Sequence, residues 1–520
     1  VYAFRGGPLP TEIRSLGRTI FHTAPRFEVV VGGQLAPIEW EPVDVVNESA
    51  RSIQLRSRGR AGAAVVDSET TVEYDGMIRI SLTIAPDQAI RIDRFAYRLP
   101  IEASVARLFN RHLTYDYTTM RVKRDVLLDT AGRLPQSPLR LPYVPSVSIG
   151  DREVGLEWWG DSAANWKSAA GDRASTPIVL SRAEDHASLE VTPIDAALRL
   201  QPGQTWTHEF ALFAFPMRER PGIVHANRFL SPGEARHYTG HDWLRLYSIF
   251  FPGQFEARWH GLPASIDNPK QRELRNRLAR LGVGYIPYAK LTAAPSLHPK
   301  AMGSMKKWSA AGKPFRGPAG GERKFMMERG WNPGTPFSYA ACGTEKEYFD
   351  WILAETLETI QKESPAAIYY DWGSIMEPCR DRQRDGALAW GYLELRRFYK
   401  RLYEAVKKSS PETLITIHTH GQPRAIGAFV DYVFVGEALN VVFRESRSFR
   451  EIRANPKLYK PHYMDLPDGF LDAQFFPRIG GTIALLPEVH HGRDESDPKR
   501  EVALTREMFA ETLVSDIAVW

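Results

Sequence analysis

The sequence predicts a chain of two folded parts, a β-sandwich over residues 1–215 and a (β/α)8 barrel over residues 246–520, joined by a linker at 216–245. The front part contains many short runs of alternating apolar residues between turn residues, which is typical of antiparallel sheets. The back part alternates strand-like and helix-like segments, which is typical of a parallel sheet with crossover helices. The length of 520 residues also exceeds one ordinary domain.

The clearest element of the front part is a hairpin. The runs 71–74 and 77–82 flank the dipeptide Asp75-Gly76, which favours a tight turn between antiparallel strands. Other strand-like runs lie at 27–31, 53–55, 189–191 and 206–215. No convincing amphipathic helix interrupts them, so these residues are predicted to form a sandwich of one or two sheets.

Eight strand-like runs divide the back part of the chain. They are residues 247–251, 283–290, 337–341, 366–371, 414–418, 432–437, 463–466 and 482–486. Helical patterns separate several of them, including one that starts at Asn268-Pro269 and one with an apolar stripe over 388–406. Eight such units favour a barrel. The alternative is an open doubly wound sheet, but no glycine-rich phosphate-binding sequence follows the first strand.

Composition limits the classes of function. The sequence is 43% hydrophobic, which allows a large core, and it has no apolar run of about 18 residues that would predict a membrane span. Two cysteines, Cys342 and Cys379, exclude a disulfide scaffold and a cysteine-based zinc site. A net charge of +5 is weak support for nucleic acid, and no nucleic-acid partner is predicted.

Catalytic residues of barrel enzymes lie at the C-terminal ends of the strands. In this sequence Asp371 and Glu437 stand out there, because each follows an apolar run where an unpaired carboxylate is costly. The alternatives are a loop-capping role for Asp371 and an ion pair between Glu437 and a neighbour such as Arg444. On the fourth and sixth predicted strands the two carboxylates can face each other across the barrel mouth, as glycoside cleavage requires.

Aromatic, basic and polar residues at the same strand ends are predicted to bind a carbohydrate. They are Tyr370, Trp372, Lys290, His418, His420, Trp308, Asp465, Glu488 and His490, with Trp331 as a further aromatic candidate. Each aromatic residue could equally belong to the core. His418 and His420 share a strand face, so with His490 and Glu488 they could instead hold a metal. The preferred prediction is hydrogen bonding to sugar hydroxyls, with no metal and no cofactor.

The segment 297–330 is rich in lysine and arginine, including Lys306 and Lys307, and follows the second predicted strand. A basic loop over the barrel mouth would favour an acidic sugar, such as a uronate or a sulfated residue. The alternative is an ordinary solvated loop.

Two stretches resemble known families. Ile368-Tyr369-Tyr370-Asp371-Trp372-Gly373 resembles the fourth-strand motif of retaining α-glycosidases of the α-galactosidase type, in which the Asp is the nucleophile. That resemblance implies an acid/base carboxylate after the sixth strand, where this chain has Glu437 and the family has Asp. Gly155-Leu156-Glu157-Trp158-Trp159-Gly160-Asp161, followed by Asn165-Trp166, is similar to the sandwich preceding the barrel of mostly bacterial proteins like glycoside hydrolase family 123.

These resemblances imply a bacterial glycosidase acting on an α-linked oligo- or polysaccharide. Family 123 uses an adjacent Asp-Glu pair, whereas Asp371 is followed by Trp372, so the retaining two-carboxylate mechanism is favoured. The expected location is periplasmic or secreted, with a cytoplasmic one left open. Two other classes stay open, a metal-dependent hydrolase or lyase of acidic polysaccharide and a non-catalytic carbohydrate-binding protein. The sequence does not indicate an oligomeric state.

Overall fold

The computed structural model describes most of the front half and separate parts of the back half. The described residues are 1–112, 127–167, 176–218, 227–230, 245–250, 269–291, 293–295, 300, 303–308, 338–371, 373–374, 379, 389–419, 424–436, 439, 466–475, 480–485, 502, 506–507, 510 and 518–519. Within these ranges, no helix is long and apolar enough to cross a bilayer.

The front half forms two large antiparallel sheets and a small one. The ten-stranded sheet contains, in spatial order, Ala131–Arg133, Leu108–Arg111, Ser146–Gly150, Gly155–Trp159, Trp206–Phe215, Met77–Pro86, Ala64–Glu73, Ser52–Ala61 and Glu39–Trp40, and Asp44–Glu48 also pairs with Ser52–Ala61. The seven-stranded sheet contains Leu139–Leu141, Ile178–Arg182, His186–Ile194, Ile90–Glu102, Arg26–Val31 and Gln34–Leu35, and Leu198–Leu200 also pairs with Ile90–Glu102. The three-stranded sheet contains Tyr2–Ala3, Glu12–Ser15 and Arg18–Thr19.

The two large sheets bury their apolar faces in one common core. Alternate residues of the strand Met77–Pro86, from Ile78 to Ile84, are fully buried and belong to the same cluster as Phe95 and Leu99 of the facing sheet. This is the alternation that a sheet with one covered face requires. The predicted hairpin is confirmed, since Ala64–Glu73 and Met77–Pro86 pair on either side of a turn in which Gly76 has a φ of 92°.

Within the described residues, the back half forms an eight-stranded parallel sheet whose strands follow one another in chain order. Its strands are Asn227–Leu230, Arg245–Phe250, Gly284–Lys290, Ala367–Asp371, Leu414–His418, Tyr432–Val435, Thr482–Leu485 and Ala518–Val519. Ordinal numbers of strands refer to this order from here on. The helices are Pro269–Arg280, Met305–Trp308, Lys346–Glu363, Tyr392–Ser409 and Phe470–Phe475, with a 3₁₀ helix at Arg424–Phe429.

The parallel sheet curls strongly on itself. Phe229 of the first strand lies with its ring centroid 4.7 Å from Phe434 and 5.1 Å from Tyr432, both on the sixth strand. In a flat sheet these strands would stand about 24 Å apart, because neighbours are about 4.8 Å apart. The curl encloses an interior cluster, which also contains Tyr288 and Tyr369. The opposite face, including Ile417, packs against the helices.

One member of the predicted strand set is wrong, and two strands of the parallel sheet, Asn227–Leu230 and Ala518–Val519, were not predicted. Ser338–Ala340 pairs antiparallel with Ala293–Pro295 and lies outside the parallel sheet. The first strand, Asn227–Leu230, falls inside the segment predicted as a linker. It is too short to show a hydrophobic period, and the prolines and glycines around it dominate the pattern. The run 463–466 lies almost wholly outside the described residues.

The helix Tyr392–Ser409 joins the two halves. Arg396 donates to Asp75 at 2.8 Å through two nitrogens and to Glu73 at 2.8 Å, while Lys400 also donates to Glu73 at 2.6 Å. At the start of the helix, Asp161 of the front half accepts the backbone N–H of Tyr392 at 2.7 Å. A helix N-terminus leaves such N–H groups without partners in its own helix, so the front half caps a helix of the back half.

Candidate active site

Asp371 is the last residue of the fourth strand, and its side chain lies directly above the enclosed interior. Side chains alternate along a strand, so Asp371 shares a face with Tyr369, which is packed in the interior cluster. Asp371 is 7% exposed. The carboxylate therefore occupies the C-terminal end of the sheet, where parallel αβ enzymes place their chemistry.

Three side chains from the two flanking strands surround this carboxylate. On the third strand, Tyr288 donates its phenolic O–H to Asp371 Oδ2, and the Lys290 ammonium lies 3.7 Å from the same oxygen. On the fifth strand, His418 Nδ1 lies 2.9 Å from Asp371 Oδ1. The pairing register places Lys290 directly beside Asp371, so the backbone itself fixes this arrangement.

The surroundings keep Asp371 ionised. Burial by itself raises the pKa of the Asp371 carboxyl. The hydrogen bond from His418, the charges of Lys290 and His418, and the bond from Tyr288 outweigh burial and hold the pKa well below its ordinary value. A group in this state is an anion at neutral pH, suited to act as a nucleophile or to stabilise positive charge, and unsuited to donate a proton.

The chain beyond the fourth strand is tied to the fifth. Gly373 donates its backbone N–H to the His418 carbonyl at 2.9 Å, and Ser374 Oγ lies 2.6 Å from Thr419 Oγ1. A Cβ on Gly373 would lie 2.7 Å from Ile417, so only glycine allows this approach. These contacts fix the position of His418 relative to Asp371.

Two predicted sugar-binding aromatics are placed elsewhere by the structure. Tyr370 is fully buried, its hydroxyl bonds Thr356 on the helix Lys346–Glu363, and its ring contacts Phe398. It points away from the interior because it is adjacent to Asp371 on the strand. Trp308 is also fully buried, 5.2 Å from the Trp351 ring. Both are core residues, and the prediction that they bind sugar is wrong.

The remaining predicted site residues divide into placed and unplaced ones. Lys290 and His418 contact Asp371 directly. Trp372, His420, Glu437, Asp465, Glu488 and His490 lie outside the described residues, as does Trp331. Of the basic segment, Lys307 is exposed and its ammonium pairs with Glu347 on a helix, while residues 309–337 lie outside the described residues.

Tyr288 also contacts Asp371, although it is not among the residues predicted to bind the carbohydrate. Its signal was the period of two that puts it on the same face as Lys290. Together, Tyr288, Lys290, Asp371 and His418 form what we call the strand-end cluster. It consists of one carboxylate with hydrogen-bond donors on both sides, and it is built from three neighbouring strands.

Comparisons with known proteins give structural similarity without sequence similarity. No protein-family model matches the chain, and no curated protein matches its sequence. Among solved structures, a GH36 α-galactosidase from Geobacillus stearothermophilus is similar with 11% identity and a TM-score of 0.43, over 94% of this chain and 72% of that one.

Two further solved structures are similar at the same level. The α-galactosidase from Lactobacillus brevis has 10% identity and a TM-score of 0.42, over 93% of this chain and 69% of that chain. A GH31 sulfoquinovosidase from E. rectale has 10% identity and a TM-score of 0.36, over 81% of this chain and 67% of that one.

Proposed function

We propose that this chain is a retaining glycoside hydrolase whose nucleophile is Asp371, on a (β/α)8 barrel. The observation that carries the proposal is a buried carboxylate at the C-terminal end of a parallel strand, kept anionic by two hydrogen-bond donors and the ammonium group of Lys290. A carboxylate in that state can attack the anomeric carbon of a sugar or stabilise the oxocarbenium-like transition state.

Glu437 is the proposed acid/base partner. It follows the sixth strand, whose last residue is Val435, and it is the carboxylate that the sequence pattern places opposite the fourth strand. In a retaining enzyme it would protonate the leaving oxygen and then deprotonate the attacking water. The two carboxyl groups should lie about 5–5.5 Å apart if the mechanism retains configuration, and about 6.5–9.5 Å apart if it inverts.

The donors around Asp371 have a second role in this mechanism. When the covalent intermediate forms, the negative charge of Asp371 is consumed in an ester, and it returns when water releases the sugar. The departing carboxylate is stabilised by Lys290, His418 and Tyr288, because each of them contacts one of its oxygens. They act as positioning residues. They speed the hydrolysis of the glycosyl ester, which releases the carboxylate, and slow its formation, which consumes the carboxylate charge that they stabilise.

The substrate is proposed to be an α-linked oligo- or polysaccharide with an acidic sugar. The α-linkage rests on the Tyr-Asp-Trp motif and the acidic sugar on the basic segment 297–330. Replacing Lys306 by Ala should raise KM for a charged substrate more than for a neutral one. Lys307→Ala is the matched control, because Lys307 is already paired with Glu347 and its loss should affect neither KM.

Covalent trapping tests the nucleophile. After a screen of aryl α- and β-glycosides, the active substrate's 2-fluoro analogue with a good leaving group should inactivate the enzyme and label the peptide containing Asp371, as read by mass spectrometry. Proton NMR of the first product anomer should show retention. A label on another carboxylate would show that Asp371 is not the nucleophile. An inverted product anomer without any label would contradict the retaining mechanism.

Glu437→Ala tests the acid/base. The variant should lose most activity on poor leaving groups and less on activated aryl ones, because only the former need a proton in the transition state. Added azide should partly restore turnover of the activated substrate. Equal losses on both substrate classes and no response to azide would remove Glu437 from this role.

A further inference from the structure

We propose that the front half carries a divalent metal site formed by His22, Asp185 and His186, of the kind that takes Zn²⁺. Within the described residues, this is the group whose histidine and carboxylate ligand atoms all lie within 4.8 Å of one another. His22 Nε2 is 3.2 Å from Asp185 Oδ2, and His186 Nδ1 is 2.7 Å from Asp185 Oδ1. The site lies where the strand Ile90–Glu102 of the seven-stranded sheet ends.

The backbone holds these residues together. His186 begins the strand His186–Ile194 and pairs directly across from Glu102. His22 donates its backbone N–H to Pro100 at 3.1 Å, on the other side of the same strand, Ile90–Glu102. The two imidazole rings stack 5.2 Å apart with a 5° interplanar angle. The ligands therefore come from two segments that flank the strand Ile90–Glu102, so little chain ordering is needed when an ion binds.

A fourth side chain orients one ligand. His22 Nδ1 lies 3.5 Å from Glu102 Oε1, on the side of the ring away from Asp185. Histidine ligands commonly donate their second ring N–H to a carboxylate, which fixes the tautomer and raises the basicity of the coordinating nitrogen. In this arrangement His22 Nε2, His186 Nδ1 and an Asp185 oxygen face the metal, and Glu102 supports His22 from behind.

The ligand chemistry selects the metal. Two imidazole nitrogens and one carboxylate oxygen suit Zn²⁺ and related borderline ions, and are poor ligands for Ca²⁺ or Mg²⁺, which prefer oxygen. Three protein ligands leave a fourth tetrahedral position for water. Both imidazoles are partly exposed, and the Asp185 side chain is 64% exposed, so ions can reach the site from solvent.

Isothermal titration of the metal-free full chain with Zn²⁺ tests the inference, and Co²⁺ absorption reports the coordination geometry. We expect a site that takes Zn²⁺ in preference to Mg²⁺ and Ca²⁺. His186→Ala and Asp185→Asn should each weaken Zn²⁺ binding by about 100-fold or more, and Glu102→Gln by about 10- to 100-fold. The matched control is Glu184→Gln, an exposed acid in the same turn, which should bind like the wild type.

Three outcomes would overturn the proposal. One is no detectable binding, in the Zn²⁺ titration heat or the Co²⁺ absorption, up to about 1 mM metal. The second is unchanged binding by both His186→Ala and Asp185→Asn, which would place the ion elsewhere, for example on histidines of the back half. The third is equal affinity for Mg²⁺. Circular dichroism of each variant checks that the fold is retained.

Discussion

The interface between the two halves and the strand-end cluster both contain buried carboxylates, but the partners of these carboxylates differ in chemical type. At the interface, Arg396 and Lys400 meet Asp75 and Glu73 in a balanced set of two cations and two anions, and Arg396 also lies 4.8 Å over the Phe429 ring. Every charge there is matched by a fixed partner. These ion pairs hold the two halves together, and their arrangement is explained without a bound substrate.

At the strand ends the single carboxylate of Asp371 faces donors that can change their state. Lysine, histidine and tyrosine all titrate or rotate, whereas the arginine of the interface stays charged and planar. The comparison indicates that a buried acid alone does not mark a catalytic site. The distinguishing features are its place at the C-terminal end of a parallel strand and the chemical type of its partners.

The sequence predicted these two regions unequally. Asp371 can be predicted from its neighbours alone, because it follows an apolar run. The sequence indicates Asp75 only as part of a turn and does not indicate Arg396, because their ion pair joins positions 321 residues apart. The His22–Asp185–His186 group was missed for the same reason. Contacts between distant segments depend on the packing of whole sheets, which one sequence does not display.

Local pattern was sufficient where a strand was long. The ten-residue strands of the front half carry enough alternation to be recognised, whereas Asn227–Leu230 and Ala518–Val519 are too short for a period. For Tyr370 the strand is predicted correctly, but the side chain lies on the other face of the sheet from the predicted sugar site. Its neighbour Asp371 points to the interior, so the alternation rule would have assigned Tyr370 to the helices.

The largest expected effect comes from Asp371→Asn. This variant keeps the shape of the side chain but removes the charge of the proposed nucleophile, so kcat should fall by about 10³-fold or more, with substrate binding retained. Tyr370→Phe is the matched control on the opposite face of the strand, and it should keep kcat within a few-fold. Steady-state kinetics on an activated glycoside decides, and near wild-type rates for Asp371→Asn would end the assignment.

Substitutions at the interface between the two halves should lower the free energy of unfolding and leave the catalytic rate unchanged. Arg396→Met leaves Asp75 and Glu73 with too little positive charge, which should cost about 3–5 kcal/mol of unfolding free energy. Arg397→Met is the control, since Arg397 is 51% exposed and pairs only weakly at 3.7 Å with Glu394. Urea unfolding measures both. A small loss for Arg396→Met, or an equal loss for the two variants, would show that these ion pairs do not hold the two halves together.

Lys290→Met should move the acid limb of the pH–rate profile. Removing a cation 3.7 Å from Asp371 raises the pKa of that carboxyl, so a smaller fraction is ionised at low pH. The acid limb of kcat/KM should therefore shift upward by about one pH unit or more. If only KM rises and the limb stays in place, Lys290 contacts the substrate instead of tuning Asp371.

Asp161, which joins the two halves as a helix cap, should make the stability of the protein depend on pH. Burial raises the pKa of the Asp161 carboxyl to about 6, and the N–H groups of Tyr392 and Leu393 oppose that rise only in part. The folded state then holds a proton that the unfolded state, with its ordinary carboxyl pKa near 4, has released. Stability should therefore decline as pH rises from about 4 to 6. Asp371, whose pKa is lowered in the folded state, should have the opposite effect, because its contribution to stability is lost as pH falls.

Asp161→Asn and Asp161→Ala separate the titration from the cap. Both variants lack the ionisable group, so their unfolding free energy should decline less than that of the wild type across this window. Asn keeps one oxygen that accepts the N–H of Tyr392, whereas Ala keeps none and should be less stable by about 1 kcal/mol at every pH. Urea unfolding at several pH values measures both effects. Parallel curves for wild type and Asn would mean that folding does not shift the pKa of Asp161. Equal stability of Asn and Ala would mean that the contact with the helix N-terminus contributes nothing.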